Sequence, residues 1–190
     1  MVACSNGHKD VVQLLLDHSE TIELNARYKN GSTVFMYACS RGHNDVVKLL
    51  LDHPNIELNA RNNIGHSERI ELRPSQDGLT AFMFACRNGH KDVVQLLLDH
   101  SDPNIDLNAR AIHGTTAFIT ACGKGHKYVV QLLLNCPDKN IELNARNNNG
   151  DTAIIVACYK GHKDVVQFLL DHIDRGIEVN ARINSGQTAF

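Results

Sequence analysis

The chain has 190 residues, 19 Lys+Arg against 21 Asp+Glu, a formal net charge of −2 and 43% hydrophobic residues. This near balance offers no basic face for nucleic acid, no apolar run is long enough to span a membrane, and the first residues lack a basic-then-apolar leader pattern. Without nucleic acid or membrane as a partner, a cytoplasmic or nuclear location is expected.

The chain opens on Met1-Val2-Ala3-Cys4, which is the tail of a phrase found whole further on. That phrase is Thr33-Val34-Phe35-Met36-Tyr37-Ala38-Cys39, and it returns over 80–86, 116–122 and 152–158. Thr188-Ala189-Phe190 begins it once more, so the two ends of the chain are cut in the same phase. The leading threonines at 33, 80, 116, 152 and 188 are separated by 47, 36, 36 and 36 residues. A fixed period of about 20–50 residues marks a stacked array, because one unit cannot bury its apolar face alone. The units are read as 1–24 without its opening turn, 25–58, 59–107, 108–143, 144–179 and a half-unit 180–190. They form one array with an elongated core shared between neighbours.

Each unit contains two predicted helices, as 80–100 illustrates. Phe82, Ala85 and Cys86 fall at helical spacing on one stripe. Thr80 is a natural N-cap, and Gly89 supplies the left-handed residue that ends a helix. A second helix follows over 91–100, with Val93, Val94, Leu96, Leu97 and Leu98 as a wide buried face and Asp92 at the positive end of its dipole. A turn-rich connector then leads to Asn108-Ala109-Arg110, a triplet repeated at 25–27, 59–61, 144–146 and 180–182.

These features resemble the ankyrin repeat. The pattern T-x-x-x-x-A-x-x-x-G-H followed by V-V-x-L-L-L covers the whole chain, and an all-α solenoid of helix-turn-helix units with protruding turns is implied. Two features depart from the family. Its Thr-Pro-Leu-His becomes Thr-Ala-Phe-Met or Thr-Ala-Phe-Ile, so Val34, Ala81, Ala117 and Ala153 stand for proline, and Met36, Met83, Ile119 and Ile155 for histidine. Its Gly-Ala-Asp after the second helix is replaced by a longer connector such as Asp-His-Ser-Asp-Pro-Asn, 99–104, which lengthens the unit to 36 residues.

Recurring polar residues are expected to serve the stack. Cys4, Cys39, Cys86, Cys122 and Cys158 share one repeat position. Packed helices lie roughly 8–10 Å apart, whereas a disulfide needs Cα atoms within about 7 Å. These cysteines are therefore expected as small buried residues. Histidine follows glycine at 8, 43, 90, 126 and 162, with no C-x-x-C or H-x-x-x-H pattern, so neither metal nor cofactor is expected. Arg27, Arg61, Arg110, Arg146 and Arg182 form either a basic stripe for an acidic peptide or pairs with acids of the adjacent unit.

Candidate contacts are positions that vary between units while facing one surface. One set is the turn tips: Lys29, Asn30 and Ser32; Gln76, Asp77 and Leu79; Ile112, His113 and Thr115; Asn148, Asn149 and Asp151; Asn184, Ser185 and Gln187. The other is the pair before each Gly-His: Ser5-Asn6, Ser40-Arg41, Arg87-Asn88, Gly123-Lys124 and Tyr159-Lys160. The resemblance implies that both sets share the concave face on which such proteins bind partners.

The 47-residue spacing contains an insertion, 62–75. Glu68, Arg69, Ile70, Glu71, Leu72 and Arg73 alternate there as in a two-stranded finger with one apolar side. Either a protrusion that binds a partner or a harmless loop fits, since lengthening a loop costs little closure entropy. The resemblance also implies a substrate of an asparaginyl hydroxylase, for which the spacing from Leu51 through Glu57 and Leu58 selects Asn59.

There is no nucleophile elbow and no phosphate loop, so no enzyme is expected. The expected function is non-catalytic protein binding by a monomer. The alternatives are one segment of a longer array whose activity lies elsewhere, or a designed consensus-style repeat. Val11, Val12, Leu14 and Leu15 at one end, and Val165, Phe168 and Leu169 at the other, are expected to lack full cover. Weak head-to-tail self-association, with 186–190 of one copy near 1–12 of the next, is expected from those edges.

Overall fold

The structure is a computed structural model and describes residues 1–18, 22–63, 78–100 and 105–190. Ten α-helices are found among them, in five pairs. They are α1 Val2–Ser5 with α2 Lys9–Leu16, α3 Val34–Arg41 with α4 Asn44–Leu51, and α5 Ala81–Asn88 with α6 Lys91–Asp99. α7 Ala117–Lys124 with α8 Lys127–Leu134, and α9 Ala153–Tyr159 with α10 Lys163–Leu170, complete the series. Short 3-10 turns at Pro137–Lys139 and Ile173–Arg175 follow the last two pairs.

Local chemistry starts and stops these helices as the pattern requires. Oγ1 of Thr33, Thr80 and Thr116 accepts the N–H of Met36, Met83 and Ile119, each at 3.3 Å. Each such cap satisfies a donor the helix cannot use and contributes about 1 kcal/mol. Thr152 occupies the same position, but its hydroxyl is buried and has no partner among the described residues. α3, α5 and α7 end on a left-handed glycine, as at Gly89 with φ 75°, whereas at α1 and α9 the glycine follows one residue after the cap.

The first helices stack on one another in a row, α1 to α3 to α5 to α7 to α9. The second helices form a parallel row, α2 to α4 to α6 to α8 to α10. The core lies between the rows and runs the length of the array. Ala38, Cys39, Ala85, Cys86, Ala121 and Cys122 are fully buried, small enough for the first helices to approach closely. Met36, Met83 and Ile119 are buried where the family carries histidine, so apolar packing replaces a polar link.

The two ends differ from expectation. Val11, Leu14 and Leu15 are exposed, but Val12 is buried. Val165, Phe168 and Leu169 are buried too. The cover comes from the segment after α10: the His172 ring lies 4.2 Å from that of Phe168, and Ile177 joins the core.

Candidate partner-binding face

Once the units are stacked, the recurring polar residues are occupied. Nε2–H of His43, His90, His126 and His162 donates to the carbonyl of Ser5, Ser40, Arg87 and Gly123, all in the preceding unit, at 2.8–3.0 Å. Each ring also lies on the preceding unit's glycine, so that a Cβ at Gly89 would sit 2.6 Å from Nδ1 of His126. Glycine thus meets two needs there, a positive φ and a bare surface for the next histidine.

The Asn-Ala-Arg triplets act as straps. Oδ1 of Asn25, Asn108 and Asn144 accepts the N–H of Glu57, Glu142 and Glu178, in the connector that follows the unit's second helix, at 2.9 Å. Asn59 does the same with Asp106 at 2.8 Å. Arg27, Arg110 and Arg146 pair with Glu57, Glu142 and Glu178 at 3.1, 2.8 and 3.8 Å. Each arginine also donates to the backbone carbonyl of the next arginine in the row, as Arg110 does to Arg146 at 2.8 Å. These three arginines pair with acids of the following connector while their side chains stay 43–47% exposed. Cys39, Cys86 and Cys122 are buried free thiols, and that burial pushes their pKa well above the usual thiol value.

The turns close on themselves and on one another. In one of them Ala111 N–H donates to Thr115 and Gly114 N–H to Ala111. Adjacent tips are joined by Asn63 N–H to Asn30, Asn148 N–H to His113 and Asn184 N–H to Asn149, at 2.9–3.0 Å. The third turn keeps its closing bonds although the inserted residues lie within it: Asn62 N–H donates to Leu79 and Gly78 N–H to Asn62. The proposed finger, Glu68, Arg69, Ile70, Glu71, Leu72 and Arg73, lies outside the described residues, as do Gln76 and Asp77.

The remaining candidates divide by environment. Ser32 and Leu79 are 3% and 2% exposed, so they support their turns from inside. Asn30 is tied to its own turn through Ser32 N–H. Asn88 donates to the carbonyl and Oγ of Ser40 at 2.7 and 3.0 Å. Asn148 donates to the Ile112 carbonyl, and Asp151 accepts from Asn147. Lys29, Arg41, Ile112, Lys124, Tyr159 and Lys160 present exposed side chains, Tyr159 at 83%.

Turn tips and first helices meet along a groove. One depression of about 280 Å³ brings together Arg87, His113, Thr115, Lys124 and Lys160 over a floor of Ile119, Thr120, Gly123 and Val156. A wider one of about 680 Å³ continues past Asn149, Asp151, Tyr159 and Lys160 to Phe190. Sequence reasoning missed Thr120 and Val156. The signal was present, because the fifth position of the repeated phrase varies as Tyr37, Phe84, Thr120 and Val156.

Among the described residues, no helix is long and apolar enough to cross a membrane. A family model for ankyrin repeats, in three copies, matches residues 1–62, 64–144 and 101–183. No curated protein matches the chain.

Proposed function

The chain belongs to the ankyrin repeat family, whose repeats are generally protein–protein interaction modules, and on that premise we propose that it binds a protein partner on the concave face made by its turn tips and first helices. The observation that carries this reading is the division of labour among polar groups. The recurring His and Arg residues are bonded to neighbouring units, and the recurring Asn residues to the connector that follows. The exposed side chains that vary between units, Arg41, Lys124, Tyr159 and Lys160, belong to the first-helix ends, and the last three line the groove. Ankyrin repeat proteins are typically non-enzymatic scaffolds, and this reading needs no catalytic group.

The test is the combined variant R41A/R87A/K124A/Y159A. Random peptides displayed on phage are captured by the immobilised chain and then offered to the variant. The variant should lose the captured clones while its melting temperature stays within about 2–4 °C, the equivalent of roughly 1 kcal/mol in a chain of this size. Clones held equally by both proteins would refute the assignment of the face. A large fall in melting temperature would mean that these residues are scaffold.

A further inference from the structure

One stretch of the groove is lined by several cations. Gly123 lies inside α7, between Arg87 and Tyr159 in the row that ends the first helices. A Cβ there would sit 2.6 Å from Cγ1 of Val156, so the next unit has closed onto the bare helix surface. What remains is the depression of about 280 Å³ with an apolar floor. Among the described residues, Arg87, Lys124 and Lys160 line it together with His113, and no carboxylate does; Arg87 and His113 have interactions of their own, which leaves Lys124 and Lys160 as the cations open to a ligand. The nearest acid on the adjoining stretch of groove, Asp151, accepts a bond from Asn147 at 2.9 Å.

Arg27, Arg110 and Arg146 have glutamates for partners. Lys124 has no carboxylate within ion-pairing distance among the described residues. Its pKa is lowered, first by the Arg87 charge, then by burial, then by Lys160. The Lys160 ammonium lies 5.0 Å from the centroid of the Tyr159 ring, a contact that leaves its charge uncompensated. Lys124 and Lys160, two like charges beside an apolar floor, raise the free energy of the unbound face, and an arriving anion relieves it.

We propose that this depression seats an acidic side chain of a protein segment laid along the groove, with apolar neighbours of that residue resting on Ile119 and Val156. The proposal deepens the concave-face reading and rests on it. A protein segment fits better than nucleic acid. Nucleic-acid affinity grows with the number of phosphates neutralised, and here three cations surround a partly apolar dimple in a chain of net charge −2.

The test uses the full chain and three fluorescein-labelled probes read by anisotropy. They are a short peptide of alternating glutamate and leucine, the same peptide with glutamine for glutamate, and a short single-stranded DNA. The acidic peptide should bind at least about tenfold more tightly than the other two, and K124E/K160E should reverse that preference by about tenfold. The same double reversal on the second helices, K48E/K163E, should leave binding unchanged. G123A places a methyl group in the floor and should weaken the acidic peptide without altering the charge. Equal binding of the glutamine peptide, tighter binding of DNA, or indifference to K124E/K160E would each overturn the proposal. If the acidic peptide fails while phage-selected clones still depend on R41A/R87A/K124A/Y159A, the charge inference falls and the concave-face reading stands. If those clones are indifferent as well, both fall.

Discussion

Replacing Gly89 by alanine tests how the units are held together, because Gly161 provides an internal control. Both residues follow a first helix with almost the same backbone, φ 75° at Gly89 and φ 71° at Gly161. A left-handed alanine costs about 1 kcal/mol at either site. At Gly161 nothing lies within 4 Å of the added Cβ, so that is the whole cost. At Gly89 the Cβ would sit 2.6 Å from Nδ1 and 2.9 Å from Cε1 of His126. The ring must move, and its bond to the Arg87 carbonyl, 2.8 Å long, is strained or broken. A lost hydrogen bond of this kind costs about 1 kcal/mol, more when the carbonyl stays buried and unpaired. G89A should therefore destabilise by about 2–3 kcal/mol and G161A by about 1 kcal/mol. Equilibrium urea denaturation of the two variants reads the difference. A third comparison isolates its origin: in an H126A background the clash is gone, so G89A should cost no more than G161A. Equal losses for G89A and G161A in the parent chain would refute the claim that the histidine ring needs a bare glycine.

Other perturbations follow from the same contacts. N108A removes two bonds to the connector after α8, to Glu142 N–H at 2.9 Å and to the Asn140 carbonyl at 2.9 Å, and should cost about 1–2 kcal/mol by urea denaturation. E142A breaks only the half-exposed pair with Arg110 and should cost under about 1 kcal/mol; a larger loss than that of N108A would reverse the ranking of strap and ion pair. Burial raises the pKa of Cys39, Cys86 and Cys122, so above the ordinary thiol value of about 8.5 the unfolded chain releases protons that the folded chain keeps. Stability should therefore fall as pH rises through that value, and C39A/C86A/C122A should flatten the fall; an unchanged slope would show that other groups set it. A thiol reagent at neutral pH should modify the half-buried Cys136 and Cys158 before Cys39, Cys86 or Cys122, as counted by peptide mass spectrometry. Hydroxylation at Asn59 should appear as one added oxygen on its peptide after exposure to an asparaginyl hydroxylase. Because Oδ1 of Asn59 accepts the N–H of Asp106, an unmodified peptide would indicate that this strap stays closed.

The units, both helices of each, the threonine caps and the glycine stops were legible in the sequence because each depends on residues within one or two turns of one another. Hydrophobic spacing in 93–98 and a threonine followed by an apolar phrase specify a helix and its start without reference to distant chain. The burial of Cys4, Cys39, Cys86 and Cys122 was legible for a related reason, since repetition at one phase means repetition at one depth in the stack, but Cys158, expected to be buried with them, is only half-buried. What the polar repeats do was settled only by the stacking. His126 reaches a carbonyl 39 residues away, Arg110 one 36 residues away, and no local periodicity specifies which group stands there. The same holds for Ser32 and Leu79, which sit at turns by sequence yet are enclosed once neighbouring turns close over them. The groove depends on Gly123 meeting Val156 from the next unit. Contacts between units are made by surfaces that come together only on stacking, so tertiary structure decided which polar residues are consumed as scaffold and which remain on the face.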